Sequence, residues 1–519
     1  MKKLLLILLS VAIRGLSFAQ TTEHTFTFVK PEIVINGRHQ LITFPGSQLH
    51  GKPGEPLLPF QAVSLLIPPG HEAIAISISK EGETLIPGRF NLAPAGFSRP
   101  YSDPGFSAGP IQGEIYTSTK AHPSEATGQL STHYRNGYGI AQTVITPLSY
   151  IPATGEVHYY SKITVRIETR ESKRGREALK NLTPASARAI QNQAGIQNRG
   201  ISQRYPSPAA SQNDYQILVI TPQAFSPSFE AYAQLYLPRG MKTQVATTEF
   251  IQANVSGTDM PEKIRNYIKQ QYQQFGIEHV VLGGDVEHVP FRGFYCSVQS
   301  STVYEDNNIP SDLYYSALDG NWNTDGDNRW GEPGEDDLLP EVSVGRMSFS
   351  TSAELAAMMN KTTRYQNQPV LGELRNPLLA GENLYYNPDT WGSDYLELLI
   401  GTRDDNGYTT TGIPESQNIE RLYDENVTWD KYMLMNAINA GRNYIHHSGH
   451  ANDSYVMKLN SWDITNQNFS GVNGILHNFP VIYTHGCICG AFDVNDCIAE
   501  KIVSIDNFGA AFIGNSRYG

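Results

Sequence analysis

Two short segments near the end of the chain carry side chains suited to covalent chemistry. His450 closely follows the run 444–448, and Cys487 closely follows the run 481–485; both runs have the composition of β-strands. In an open parallel sheet, the carboxyl ends of neighbouring strands are where a ligand meets the protein. A free cysteine is mostly protonated at neutral pH, so a thiol at this place needs a base such as an imidazole. The two segments therefore predict a nucleophile and its base.

The same segments are rich in side chains that bind zinc, which leaves a metal site as an alternative. The candidate ligands are His446, His447, His450, His485, Cys487 and Cys489. Adjacent residues on a strand point to opposite faces, and the spacing matches neither a zinc ribbon nor the helical motif of zincins. We keep a zinc-dependent hydrolase or metal-binding protein as the alternative function, and Cys489 as the alternative nucleophile.

Charge and the N-terminus restrict the partners and the location. The 519-residue chain has a formal net charge of −12, which disfavours non-specific binding to nucleic acid or to an anionic membrane. It begins with Lys2 and Lys3, an apolar run over 4–9 and a small-residue ending at Ala19. This pattern is typical of a secretory signal peptide that is cleaved after Ala19. No later segment reaches the ~18 apolar residues of a membrane span, so we expect a secreted or cell-surface protein.

Domain boundaries follow changes of pattern along the chain. Residues 20–169 show short alternating strands broken by Pro and Gly, which predicts an all-β domain. Residues 170–212 are basic and polar, and they predict an exposed linker that is either an activation cleavage site or a simple tether. From 213 to 371 and from 372 to 519, β and α segments alternate, which predicts mostly parallel sheets with helices on both faces. The last strand is followed by few residues, so we expect the second of these subdomains to be truncated at its C-terminus.

One loop is rich in alternating Asp, Asn and Gly. Oxygen ligands in such a loop can wrap around calcium, and an exported protein meets millimolar calcium. The candidate ligands are Asp319, Asn321, Asn323, Asp325, Asp327 and Glu332. The spacing is not that of an EF-hand, and the alternative is a solvated acidic turn. We expect calcium here in a structural role.

Several motifs, taken in order, resemble those of a known family. They are Gly283-Gly284-Asp285, Val344-Gly345-Arg346, Gly449-His450, Gly486-Cys487 and Gly490-Ala491-Phe492-Asp493. From residue 213 the chain resembles the gingipain family of secreted cysteine peptidases, relatives of the caspases, and the preceding β domain resembles that family's propeptide. The resemblance implies a caspase-like pair of subdomains, His450 as base, Cys487 as nucleophile, no cofactor for the chemistry and the propeptide as inhibitor. The family usually has Gly after the His and Ala before the Cys, where this chain has Ala451 and Gly486.

The resemblance also assigns two acidic residues and a reaction. It implies that Glu382 orients the histidine and that Asp394 lies where arginine-specific members carry the carboxylate of the S1 pocket. A carboxylate suits a guanidinium through a bidentate pair, although Asp394 can also serve as a helix N-cap. Backbone N–H groups of Ala451 and Cys487 would stabilise the oxyanion while the thiolate attacks a peptide bond. An inactive relative that acts as a binding or adhesion module is a third hypothesis, and the intact His and Cys pair argues against it.

Overall fold

A computed structural model describes residues 20–97, 112–193, 195–207, 215–300, 302–386, 389–405 and 408–519. The predicted signal peptide and the last residues of the predicted linker, 208–212, lie outside these ranges. Among the helices in the described ranges, none combines the length and the apolar character needed to cross a bilayer.

The N-terminal domain is built from antiparallel strands. Its elements are β1 (Gln20–Thr27), β2 (Glu32–Asn36), β3 (His39–Thr43), β4 (Gln48–His50), β5 (Leu58–Leu66), β6 (His71–Ile86), α1 (Gly113–Tyr116), β7 (Ser131–Arg135), β8 (Tyr138–Ile145), β9 (Leu148–Ile151) and β10 (Glu156–Glu171). One sheet has the order β1-β10-β6 with β9 also on β10, and another has the order β4-β5-β8-β7. Alternating residues of both sheets point into a shared apolar core that includes Val63, Ile145, Val157 and Val165. The predicted β domain is present.

A tight hairpin projects from this domain. β7 and β8 are joined by Asn136 and Gly137, which have φ values of 52° and 88°. Two successive residues with positive φ form the turn that matches strand twist, and Asn-Gly is the pair that adopts it most readily. The hairpin tip therefore has a defined shape and can serve as a contact.

The segment predicted as an exposed linker, 170–212, is instead folded over most of its described length. It contains α2 (Lys173–Ala178) and α3 (Pro184–Asn192), capped by the hydroxyls of Ser172 and Thr183. Apolar side chains between the basic ones pack on the β domain, and this burial is why the segment folds. The packed residues are Leu179, Leu182, Ile190, Ile196, Ile201 and Tyr205. The apolar residues at these positions indicate a packed segment, but the many basic residues around them led to the prediction of an exposed linker.

The first α/β unit contains β11 (Ile217–Thr221), α4 (Phe229–Tyr236), β12 (Thr243–Thr247), α5 (Thr248–Asn254), α6 (Met260–Phe275), β13 (His279–Gly283), β14 (Arg292–Gln299), β15 (Val303–Ser311), α7 (Leu313–Ser316), β16 (Ser343–Met347) and α8 (Ser352–Asn367). Its sheet is parallel with the order β12-β11-β13-β16. α5 and α6 cover one face, and α4 and α8 cover the other. Every residue of β11 is buried, as expected for a strand with helices on both sides. β14 and β15 form a separate antiparallel hairpin.

The second α/β unit contains β17 (Pro377–Gly381), β18 (Asn383–Tyr385), β19 (Thr390–Trp391), α9 (Gly392–Leu396), β20 (Thr402–Asp405), β21 (Tyr408–Thr411), β22 (Glu420–Tyr423), α10 (Lys431–Asn439), β23 (Tyr444–Ser448), β24 (Ala451–Asn452), β25 (Tyr455–Val456), β26 (Leu459–Asn460), β27 (Val481–Thr484), α11 (Ile498–Ser504) and β28 (Ala511–Ile513). Its sheet has the order β22-β17-β23-β27-β28, and all neighbours are parallel. α10 and α11 pack on one face. The predicted fold class, two mostly parallel sheets preceded by an all-β domain, is confirmed.

Candidate active site

Three neighbouring strands of the second sheet end at the same place. Glu382 directly follows β17, His450 lies just beyond β23, and Cys487 lies just beyond β27. β23 pairs with β17 on one side and with β27 on the other. Because the strands are parallel, their carboxyl ends meet at one edge of the sheet. The topology thus brings the acid, the base and the thiol predicted from the sequence to a common edge.

The His and Cys loops touch through their smallest residues. A Cβ built on Gly486 would overlap the Cβ of Ala451. Gly486 also donates its N–H to the hydroxyl of Thr484 at 2.9 Å, which fixes the turn into the thiol. Any larger residue at 486 would push the two loops apart, so the glycine permits the close approach.

The ring of His450 is held by a backbone carbonyl. Its Nε2 lies 3.1 Å from the carbonyl oxygen of Leu384, in β18. A carbonyl can only accept, so in the neutral ring Nε2 is the nitrogen that carries the proton and Nδ1 is the one with the lone pair. This tautomer leaves Nδ1 as the basic atom of the ring. The role of Leu384 has no signal in the sequence, because any residue supplies a carbonyl.

Glu382 contacts His450 by a route different from the predicted one. The carboxylate accepts the backbone N–H of His450 at 3.1 Å and lies 3.0 Å from Nε2 of His447, a fully buried side chain. The other ring nitrogen of His447 lies 2.8 Å from the hydroxyl of Thr484. Burial alone would raise the pKa of Glu382, but the hydrogen bond and charge of His447 and the N–H of His450 lower it below its usual value. Glu382 therefore anchors the His450 loop, while the orientation of the ring comes from Leu384.

The thiol loop, residues 485–493 after β27, contains two cysteines that differ in their hydrogen bonds. Both side chains are buried, that of Cys487 with 1% of its surface exposed, and burial raises the pKa of the Cys489 thiol to about 12. The S–H of Cys489 donates to the carbonyl of Gly486 at 3.5 Å. The sulfur of Cys487 instead accepts a hydrogen bond from the backbone N–H of Gly519 at 3.4 Å. A thiolate is stabilised by such a donor, so Cys487 is better placed than Cys489 to be the nucleophile. All four cysteines of the chain are free.

The six candidate zinc ligands do not converge on one point. Nε2 of His446 lies 3.0 Å from Nε2 of His485, and Nδ1 of His446 lies 2.7 Å from the hydroxyl of Tyr444. His447 faces Glu382, as described above. Within the described residues, these ligands form no group of three with adjacent donor atoms. Burial, and then the neighbouring His485 and His447, lower the pKa of His446 to about 4, so that its ring is neutral at pH 7.

Asp394 lies in the short helix α9, whose start packs against the same sheet edge. A Cβ on Gly392 would overlap the carbonyl of Ser448 and approach the N atom of Glu382 to 3.0 Å. The N-cap of α9 is Trp391, and Asp394 is at the third helical position, where its carboxylate accepts the Trp391 N–H at 3.4 Å. The side chain of Asp394 is exposed and able to meet a ligand.

The six residues predicted to bind calcium separate into two places. Asp325, Asp327 and Glu332 have carboxylate oxygens within 4.8 Å of one another. The side-chain oxygens of Asn321 and Asn323 accept N–H groups that close the loop. Asp319 is buried elsewhere, in a second carboxylate group with Asp337 and Glu341. A structural cation is thus compatible with only part of the predicted ligand set.

The N-terminal domain contacts the first α/β unit through two asparagines. Asn136, at the hairpin tip, donates its N–H to Glu341 at 2.9 Å and its amide to the hydroxyl of Tyr272 at 2.8 Å. Asn181 is fully buried and donates its amide to Asp319 at 2.9 Å. The hydroxyl of Tyr272 in turn donates to the carbonyl of Asn181 at 3.0 Å. These contacts form a polar interface between the two domains.

Comparison with known proteins identifies the family. The pattern of Peptidase family C25 matches residues 210–519, and that of Propeptide_C25 matches residues 20–193. The chain belongs to peptidase family C25, the gingipain family of cysteine peptidases, and carries that family's propeptide at its N-terminal end.

Similar proteins come from Porphyromonas gingivalis. Gingipain R2 is 23% identical over 406 residues, which cover 76% of this chain and 48% of that protein. Gingipain R1 is 22% identical over 405 residues, covering 76% of this chain and 36% of that protein. The chain therefore spans about half the length of these relatives or less. Among solved structures, the complex of RgpB pro- and mature domains has a TM-score of 0.42 at 19% identity, covering 58% of this chain and 64% of that one. The Arg-specific cysteine proteinase gingipain R has a TM-score of 0.41 at 18% identity, covering 60% and 65%.

Proposed function

We propose that the protein is a secreted cysteine endopeptidase in which Cys487 is the nucleophile and His450 is the base. The observation that carries this proposal is the convergence of both residues at the carboxyl ends of the adjacent strands β23 and β27, with the His450 ring oriented by the bond from Nε2 to Leu384 so that Nδ1 is the basic nitrogen of the neutral imidazole. Membership of peptidase family C25 supports the same chemistry.

The reaction proceeds in two steps. His450 takes the proton of Cys487, the thiolate sulfur bonds to the scissile carbonyl carbon, and the C–N bond breaks as the leaving amine takes the proton from the ring. Water, deprotonated by the same ring, then attacks the thioester and releases the acid and the thiol. The backbone N–H groups of Ala451 and Cys487 stabilise the oxyanion in each step. No cofactor is needed for this chemistry.

Substrates with Arg or Lys before the scissile bond fit the site best. The exposed carboxylate of Asp394, next to the edge of the sheet, offers a planar partner for a guanidinium. Arg gains more than Lys from this pair because its donors match both carboxylate oxygens. The name of the similar Arg-specific proteinase agrees with this preference.

The protein is made as an exported zymogen. The N-terminal sequence up to Ala19 has the pattern of a signal peptide. The N-terminal domain acts as an inhibitor, held to the catalytic part by Asn136 and Asn181, and activation requires cleavage after it.

Calcium bound by Asp325, Asp327 and Glu332 stabilises the adjacent loop. Calcium added to chelated protein should then raise the Tm, and Asp327→Asn should abolish that rise.

Hydrolysis of short peptides tests the proposed function. Substrates with Arg, Lys or a neutral residue before the scissile bond are incubated with the full chain, intact and after limited proteolysis within 194–214. We expect cleavage that iodoacetamide abolishes and a zinc chelator leaves unchanged, and that is absent in His450→Ala. Cleavage that survives iodoacetamide and is lost with the chelator would refute the thiol mechanism in favour of a metal-dependent one.

A further inference from the structure

The segment 514–519 lies directly on the loop that carries Cys487. The carbonyl of Asn515 accepts the N–H of Gly490 at 3.0 Å, and the amide of Asn515 donates to the carbonyl of Gly486 at 3.1 Å. Gly519 donates its N–H to the sulfur of Cys487. The segment thus contacts the thiol loop before, at and after the nucleophile. The position of the sulfur depends on where this segment lies.

The residue after the nucleophile has an unfavourable backbone conformation. Ile488 has a φ of 62°, in the left-handed region that a β-branched residue rarely adopts. Such a conformation is strained and persists only where the surroundings impose it. The N–H of Ile488 donates to the carbonyl of Arg517 at 2.6 Å. The backbone of Arg517 therefore holds the turn that directs the Cys487 side chain.

The side chain of Arg517 in turn fixes its own segment. Two of its nitrogens bind the two carboxylate oxygens of Asp493, in the thiol loop, at 3.0 and 2.8 Å. Nε binds Asp306 at 2.7 Å, and a further N–H donates to the carbonyl of Asn308 at 3.1 Å. Asp306 and Asn308 belong to β15, in the first α/β unit. The ring of Tyr518 also meets that of Tyr304, in β15, with centroids 5.1 Å apart.

These ion pairs are formed away from bulk water. The side chains of Arg517 and Asp306 are each 20% exposed, and that of Asp493 is 14% exposed. A partly buried, bidentate pair is stronger and more directional than an exposed one. Arg517 thus joins three parts of the protein: the thiol loop, the β14–β15 hairpin and the segment over Cys487.

We propose that Arg517 is a positioning residue of the thiol site. Its guanidinium fixes the segment 514–519 between Asp493 and Asp306, and its carbonyl then stabilises the strained turn at Ile488. This inference rests on the proposed role of Cys487 as nucleophile. Since a misplacement of about 1 Å at a reacting atom can cost about 100-fold in rate, loss of the guanidinium should act mainly on the chemical step.

The test compares variants of the full chain in the preparation that gives hydrolysis dependent on Cys487. Arg517→Ala should lower kcat by about 100-fold while KM stays within about twofold, because substrate contacts are retained. Added guanidinium ion should restore part of kcat, and Asp493→Asn should lower kcat in the same direction. The rate of iodoacetamide reaction with Cys487 should fall together with kcat. Arg421→Gln serves as a matched control, because Arg421 also pairs with a carboxylate, that of Glu397 at 2.7 Å, but on the surface.

The outcomes separate this inference from the proposed function. A kcat of Arg517→Ala equal to that of Arg421→Gln would overturn the positioning role and leave the peptidase mechanism intact. A loss of kcat that guanidinium does not restore, accompanied by an equal loss of folded protein in thermal unfolding, would also overturn it. Hydrolysis that persists in Cys487→Ala would refute the proposed function itself.

Discussion

Glu382 holds His450 by its backbone, accepting the N–H at 3.1 Å, while the His450 ring donates to a carbonyl of a different strand. Glu382 therefore fixes the loop that carries the proposed base, and its carboxylate also contacts the ring of His447. Two separate contacts thus set the position and the orientation of the imidazole: Glu382 on the backbone N–H and the Leu384 carbonyl on Nε2. Their contributions can be measured independently.

Replacing Glu382 by Gln should reduce activity without abolishing it. The ring of His450 keeps its bond to Leu384, but the loop loses its charged acceptor, so we expect kcat/KM to fall about 10- to 100-fold. His450→Ala should cost more, because it removes the base itself. Steady-state kinetics of both variants check this, with Glu425→Gln as a control, because Glu425 is an acid that accepts a hydrogen bond from the Ser393 hydroxyl rather than from His450. Equal losses in Glu382→Gln and His450→Ala would contradict the division of roles.

The neutral His446 should make the fold sensitive to acid. Its pKa is lowered to about 4, so the unfolded chain takes up a proton below about pH 6.5 while the folded protein does not. The contribution of neutral His446 to the free energy of unfolding is complete above pH 6.5 and is lost as the pH falls towards 4. Because His485 is only half-buried, solvent screening reduces the effect, and we expect a loss of about 2 kcal/mol. Denaturant unfolding of His446→Gln should show a flatter pH dependence than the parent, whereas replacement of the exposed His50 by Gln should not.

Asp394→Asn should change substrate preference. Removing the carboxylate leaves a guanidinium without its charged partner, so hydrolysis after Arg should fall by roughly 100-fold, and hydrolysis after a neutral residue should be almost unchanged. The ratio of kcat/KM values for the two substrates is the measurement. Asp389→Asn is the matched control, an exposed Asp just before the same helix. An unchanged ratio would show that Asp394 does not contact the substrate.

The polar interface of the N-terminal domain should control its release. Asn181→Ala removes the buried amide that donates to Asp319, which should weaken the interface by about 1–3 kcal/mol. In a chain nicked within 194–214, the N-terminal part of this variant should dissociate at lower concentration, and peptide hydrolysis should rise accordingly. Asn192→Ala, at the end of α3, is the control. Binding as tight as in the parent would exclude Asn181 from the inhibitory contact.

Periodic local patterns allowed much of the fold to be predicted. α6 begins and ends where the sequence indicates, because Asp259 caps it and Gly276, with a φ of 70°, ends it. β11 and β13 are continuous apolar runs, and buried parallel strands require such runs. Helix 173–178 was missed because basic residues dominate the segment and hide its few apolar positions.

The site could be predicted only in part. His450 and Cys487 have reactive side chains at strand ends, which is a signal in the sequence. The bond from His450 to Leu384 uses a main-chain carbonyl, which no residue type encodes. The contact of Arg517 with Asp306 joins positions 211 residues apart, and such pairing depends on the packing of two units. Distant ion pairs of this kind are decided by tertiary structure.

The most direct test of the central claim is to find which sulfur bonds to a substrate-like electrophile. The full chain, nicked within 194–214, is treated with a peptide that carries Arg followed by a thiol-reactive ketone, and the labelled residue is located by mass spectrometry. We predict a label on Cys487 that is retained in Cys489→Ala and lost in Cys487→Ala. A label on Cys489, or labelling that survives Cys487→Ala, would contradict the proposed mechanism.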